Sequence, residues 1–160
     1  YFQLTMLGDG PLMPLLKAKV AEAGLGGCVR LVGPVPQEEI QQHFDAADAM
    51  VISSFMEGVP VVLMEAMAKE MGVITTRVGG IAELVQEGRS GLFVDAGSAE
   101  SLARAVEVYA SDPTLCREHG TVGRRHVIEA FGTQATAAGM ADLFKRFAAG
   151  RPGEIGRAHV

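Results

Sequence analysis

Two carboxylates, Glu57 and Glu65, flank the run Gly58-Val59-Pro60-Val61-Val62-Leu63-Met64, which holds no other charge. An apolar stretch from Ala49 to Ser53 leads into them and Ala66-Met67-Ala68 continues beyond, so the pattern predicts a strand that turns into a helix starting at Val59. Turns of this kind are where open α/β sheets bind ligands. Gly58 lets the backbone come close to a ligand, and Pro60 presets φ for a first helical turn in which its missing N–H costs nothing. The amides of Gly58, Val59, Val61 and Val62 then face outward as an anion site, with Glu57 and Glu65 on either side. Two accounts of the acids compete. In one, the helix macrodipole favours Glu57, and Glu65 pairs with Lys69 one turn later on a solvated stripe. In the other, Glu65 stands on a helix that is apolar on every face and therefore buried, where a carboxylate needs a bonding partner and a ligand's pair of hydroxyls supplies it. The residues alone leave both open.

The elements that must position these groups alternate. Phe2 to Leu7 reads as a strand and Pro11 to Ala23 as a helix with Leu12, Leu15, Leu16 and Val20 on one face. Val29 to Val32 is a short buried strand and Gln37 to Ala47 a helix. After the central motif come a strand at Val73 to Thr76, a helix at Ile81 to Gln86 and a strand at Gly91 to Val94. This order implies an α/β fold built on a parallel, doubly wound sheet. Beyond Val94 the pattern is helical only. Ser98 caps Glu100 to Ala110, Asp112-Pro113 opens a helix reaching Ala130, and Thr133 to Ala148 carries Met140, Leu143, Phe144 and Phe147 at helical spacing. Gly8-Asp9-Gly10-Pro11 and Leu31-Val32-Gly33-Pro34-Val35 each follow a strand and by themselves read as tight turns.

Composition bounds the rest. A chain of 160 residues is about one domain, and 48% hydrophobic residues suffice for a core. A net charge of −5 and a pI near 5.3, without any Lys/Arg cluster, argue against nucleic acid or anionic lipid as the main partner of this stretch. No apolar run reaches the length of a membrane span, because Glu57 and Glu65 interrupt the longest one. Cys28 and Cys116 lack metal-ligand spacing and read as small thiols at apolar sites, which fits a reducing cytoplasm. His43, His119, His126 and His159 share no metal spacing, and Asp45 and Asp48 read as solvated acids at a helix end. A glycosidase-like carboxylate pair is set aside, because a loop and a helical segment hold Glu57 and Glu65 at opposite ends of a phosphate site.

The motif Ser53-x-x-x-Glu57-Gly58-Val59-Pro60-x-x-x-x-Glu65-Ala66-Met67-Ala68 resembles the E-x7-E signature of family-4 retaining glycosyltransferases. The match continues through Val73-Ile74-Thr75-Thr76-x-Val78-Gly79-Gly80-Ile81-x-Glu83-Leu84-Val85 and Glu87-Gly88-Arg89-Ser90-Gly91-Leu92-Phe93-Val94, and covers roughly Leu4 to Phe131. The resemblance implies the donor-binding, C-terminal half of a two-domain GT-B enzyme, with residues 1–150 as a partial nucleotide-sugar domain. It implies a hexosyl transfer from a nucleoside-diphosphate sugar, of the kind used in polysaccharide biosynthesis, without metal or other cofactor. The amides of Gly58, Val59 and Val61 would contact the donor's sugar and β-phosphate. Glu65 would accept both ribose hydroxyls and Glu57 would face the transferred sugar. Asp9 and Gly10 would lie beside the nucleoside, with the Val35 backbone, and less strongly Gln37, at the base edge.

The sequence also departs from that family. Glu70 and Gly72 stand where it has Gly and Pro, and since Glu70 cannot take a left-handed cap cheaply, the helix is expected to end one turn later at Gly72. The apolar start at Tyr1 suggests a chain that begins mid-domain, after the family's diphosphate-binding Arg/Lys pair and its acceptor-binding domain, so transfer by these residues alone is not expected. The resemblance is compatible with peripheral membrane association of the full-length enzyme. Tyr1-Phe2-Gln3 coincides with the end of a common protease-tag site. Residues 151–160 read as a loop and a non-native tail, Glu154 to Val160 matching the peptide a sequencing adapter encodes in one frame. A longer natural gene encoding those seven residues would refute that origin. Two other classes remain, a sugar-nucleotide epimerase or phosphorylase on the same fold and a non-catalytic nucleotide-binding module.

Overall fold

The computed structural model describes residues 2–148, so Tyr1 and residues 149–160, with the expected loop and tail at 151–160, lie outside the described residues, as do the side chains of Phe147 and Ala148. Twelve elements follow one another: β1 (Leu4–Leu7), α1 (Met13–Glu22), β2 (Val29–Gly33), α2 (Gln37–Asp45), β3 (Ala49–Ile52), α3 (Val61–Ala68), β4 (Gly72–Thr76), α4 (Ile81–Leu84), β5 (Leu92–Val94), α5 (Ala99–Ser111), α6 (Pro113–Phe131) and α7 (Thr133–Ala148). Every ladder is parallel. β1 pairs with β2, and β3, β4 and β5 lie side by side in that order. No ladder among the described residues joins the two sheets.

β4 is the central strand, and all five of its residues are buried. A parallel strand is stable only with both faces covered, and alternation along the three strands achieves this. Val73, Met50, Ile52 and Phe93 pack with Leu63 and Met67 of α3, Ile81 and Leu84 of α4, and Val127 of α6. Ile74, Ala49, Val51, Leu92 and Val94 pack on the other face with Ala105 and Tyr109 of α5 and Cys116 of α6. Phe44 of α2 closes a third cluster against Ala66 and Met71. Thus the doubly wound reading holds for β3 to β5. The β1–β2 pair is different: every residue of β1 is exposed and α1 buries none. Leu16 and Val20 are half-buried, whereas Leu12 and Leu15 face solvent.

The caps explain where the later helices begin. Ser98 Oγ accepts from the Ser101 amide at 3.1 Å to start α5, and Asp112 Oδ1 accepts from the Thr114 and Leu115 amides at 3.1 and 2.9 Å, with Pro113 in the first turn of α6. On α7, Met140, Leu143 and Phe144 are exposed.

Two expectations are corrected at α3. Pro60 is the residue before the helix, with ψ of 118°, and the first helical residue is Val61. The helix also ends at Ala68 and does not run on to Gly72, because Glu70 takes the left-handed conformation with φ of +62°. The Glu70 amide donates to the Met67 carbonyl at 3.0 Å and the Met71 amide to the Ala66 carbonyl at 3.1 Å. This pair of bonds is the Schellman stop, which satisfies two carbonyls otherwise left open. It outweighs a left-handed penalty of about 1–2 kcal/mol for a residue with a Cβ.

Burial is the main reason the Cys116 thiol titrates above its ordinary range, and the residue is 4% exposed. Cys28 is half-buried, and both cysteines are free. In the native chain at pH 8, iodoacetamide should therefore alkylate Cys28 while Cys116 reacts only after unfolding, which peptide mass mapping checks. Removing the strain at the helix stop should stabilise the domain: Glu70→Gly is expected to raise stability by about 0.5–1 kcal/mol, a Tm increase of about 2 °C, in thermal unfolding. The ion pair it deletes, Arg124–Glu70 at 3.7 Å, is exposed and offsets little of that gain.

Candidate functional site

In each sheet the residues singled out by the sequence follow the C-terminal ends of strands. Asp9 and Gly10 follow β1, Val35 and Gln37 follow β2, and Glu57 to Glu65 follow β3. The first two loops are joined, since the Gly8 amide donates to the Gly33 carbonyl at 2.7 Å and extends the β1–β2 ladder past its slip at Met6/Leu7. Asp9 Oδ1 accepts from the Gly10 amide at 2.8 Å, which holds the loop in a tight turn and leaves the second oxygen open. Val35 is half-buried and Gln37 is exposed as the first residue of α2. No hydrogen bond among the described residues links this pair of loops to the Glu57–Glu65 segment.

The loop between β3 and α3 is held by the end of β4 and the turn after it. Thr76, fully buried, donates its hydroxyl to the Ser54 carbonyl at 2.5 Å. The Gly80 amide donates to the Gly58 carbonyl at 2.9 Å. Gly79, with φ of +49°, lies so close to the Glu57 carbonyl that a Cβ there would collide with it, and a Cβ on Gly80 would come within 2.8 Å of the Gly58 carbonyl oxygen. Two consecutive glycines are thus a steric requirement of this approach.

That clamp sets the direction of the amides. The peptide units are trans, so the carbonyl and the N–H of one unit point to opposite sides. With the Glu57 and Gly58 carbonyls turned onto Gly79-Gly80, the Gly58 and Val59 N–H groups point away from that turn. Among the described residues nothing accepts from the amides of Gly58, Val59, Val61 or Val62. A Cβ at Gly58 would meet no protein atom, so the approach to this loop is open. Val59 and Val61 are 40% and 62% exposed, so the apolar stretch is open at the helix tip and buried from Leu63 on, at Leu63, Ala66 and Met67.

The acids flank this helix tip as expected, but not with the expected partners. Lys69 pairs with Asp45 at the end of α2 and not with Glu65, so the surface-pair account of Glu65 fails. Glu65 is half-buried, and among the described residues its carboxylate has no hydrogen-bond or ion-pair partner. Glu57 is also half-buried and accepts from Ser54 Oγ at 2.8 Å. Sequence reasoning gave no role to Ser54, Thr76, Gly79 or Gly80. The signals were present in the doubled glycine after a buried strand and in a hydroxyl three residues before the acid. Of the histidines, His119 is buried beside Tyr109, Nδ1 to the phenol oxygen at 2.9 Å, while the phenol also reaches the Val73 carbonyl at 3.2 Å. His126 bridges Gln86 and the Glu83 carbonyl. His119 thus joins α6 to α5, whose Tyr109 reaches β4, and His126 joins α6 to α4; neither hydrogen-bonds to the loop.

Comparison with known proteins fits this architecture. The family described as "Glycosyl transferases group 1" matches residues 1–112. A glycosyltransferase of amylovoran biosynthesis, AmsK of Erwinia amylovora, is 42% identical over 108 residues, which is 64% of this chain and 26% of that protein. Among solved structures, sucrose-phosphate synthase of Thermosynechococcus elongatus superposes with a TM-score of 0.76 at 31% identity, covering 92% of this chain and 39% of the other. HepE of Anabaena, solved in complex with UDP-glucose, superposes with a TM-score of 0.77 at 21% identity, covering 89% and 40%, a likeness of fold. The chain spans about a quarter to two fifths of the length of the curated relatives it matches. A family match over most of the sequence, together with a parallel α/β sheet and loops gathered at strand ends, means that this chain belongs to the group 1 glycosyltransferase family.

Proposed function

We propose that the chain is the donor-binding part of a retaining glycosyltransferase whose sugar comes from a nucleoside-diphosphate sugar, acting in the cytoplasm. In the reaction, the bond between the anomeric carbon and the diphosphate oxygen breaks and its electron pair leaves with the diphosphate. An acceptor hydroxyl oxygen bonds to the same carbon on the same face and passes its proton to the departing diphosphate oxygen. The chain's part is to hold the donor while charge builds on the leaving group. The open amides of Gly58, Val59 and Val61 meet that charge without reorganising, and the dipole of α3 adds to them.

Glu65 carries the proposal. A half-buried carboxylate on an apolar helix, without a partner among the described residues, is costly unless a ligand bonds it. Its two oxygens match the vicinal hydroxyls of a ribose. Glu57, on the other side of the amides, faces the transferred sugar, where its charge orients hydroxyls and favours an oxocarbenium-like centre. Asp9 and Gly10 flank the nucleoside and the Val35 backbone, with Gln37, reads the base edge. The UDP-glucose complex of the HepE neighbour supports this class of ligand on this fold. Transfer itself belongs to the longer protein, with an acceptor-binding half facing these loops.

Calorimetric titration of uridine, guanosine and adenosine diphosphates into the chain tests this reading. One of them should bind. Glu65→Ala should weaken that binding by about 10- to 100-fold, the loss of two hydrogen bonds to a charged acceptor with partial replacement by water. Excess EDTA should leave the affinity unchanged, because amides rather than a cation meet the diphosphate. Failure of all three nucleotides to bind, or equal binding by the variant, would sink the proposal.

A further inference from the structure

Ser54 lies at the crossing of two contacts. Its carbonyl accepts from the buried Thr76 hydroxyl at the end of β4, and its own hydroxyl donates to Glu57 Oε1 at 2.8 Å. The central strand of the core is therefore connected to the Glu57 carboxylate through one residue. The geometry points to Ser54 as a positioning residue that aims Glu57 at the donor's sugar, a role that rests on the reading of the site given above.

Glu57 is half-buried on a loop flanked by the exposed side chains of Phe55 and Met56, which offer it no polar contact. Without the Ser54 hydroxyl, nothing else among the described side chains fixes the orientation of the carboxylate. The backbone around it is fixed separately by Gly79 and Gly80. Two supports thus serve two parts of one ligand. The glycine turn sets the amides that meet the diphosphate, and Ser54 sets the acid that meets the sugar. A fixed carboxylate binds sugar hydroxyls without first losing rotamer freedom, which is the usual advantage of preorganisation.

The test separates those parts. For the nucleoside diphosphate that the parent chain binds, affinities are measured with and without its hexose, UDP against UDP-glucose for a uridine preference, GDP against GDP-mannose or ADP against ADP-glucose otherwise. The gain in affinity from the hexose is the readout. Ser54→Ala should reduce that gain by about tenfold while the diphosphate alone binds within twofold of the parent. Ser54→Thr keeps the hydroxyl and should restore the gain. Glu57→Gln should lose the gain as well, and adding Ser54→Ala to it should cost nothing more, because both act through one contact. The inference is overturned if Ser54→Ala keeps the hexose gain, if it weakens both ligands equally, if the two substitutions add, or if the parent gains nothing from the hexose. A parent that binds no nucleoside diphosphate removes the proposed function itself, and the inference with it.

Discussion

The hydrogen bond from the Gly80 amide to the Gly58 carbonyl is the contact on which the site depends. It ties a loop that begins at β3 to a turn that begins at β4, and it is possible only because neither Gly79 nor Gly80 carries a Cβ. The strand behind it cannot yield. β4 is buried along its whole length, packed by α3, α4 and α6 on one face and by α5 and the start of α6 on the other. Interiors of that density transmit position rather than absorb it. A loop clamped to such a strand inherits its rigidity, and amides aimed by trans peptides inherit it in turn.

Much of this order is legible in the sequence. Short apolar runs locate the strands and period-3.6 patterns the helices, and Ser98, Asp112 and Pro113 mark helix starts through known local chemistry. What stays hidden is decided by tertiary contacts. Glu70 looks unfit for a left-handed stop when propensity alone is weighed, yet two backbone bonds and the start of β4 at Gly72 require one there. Lys69 sits at the right spacing for Glu65, but the end of α2 brings Asp45 to it. A one-dimensional pattern cannot rank a neighbour four residues away against one brought close by the fold. The same limit concealed the partnership of Ser54 with Thr76, which are 22 residues apart. The apolar face of α1 is readable, but not that Leu12 and Leu15 on it stay exposed.

The start of α3 differs from those of α2, α5 and α6, while α1 shares with it the lack of a side-chain cap and of a first-turn acid. At α5 and α6 the side chains of Ser98 and Asp112 occupy the first amides, leaving little for a ligand. α2 begins after Pro36 without a side-chain cap, but Glu38 and Glu39 already place negative charge in its first turn. An anion there would be repelled. α3 has neither a capping side chain nor an acid in its first turn, and its opening side chains are valines that cannot bond to their own backbone. Leaving out a cap costs about 1 kcal/mol, and exposing Val59 and Val61 forgoes the burial that apolar residues usually gain. A helix selected for stability alone would fill those positions with Ser or Asp. Uncapped and uncharged, its amides keep their full capacity for an external negative group. The acids stand at Glu57 and Glu65, before the helix tip and beyond its first turn, which keeps negative charge off the first amides.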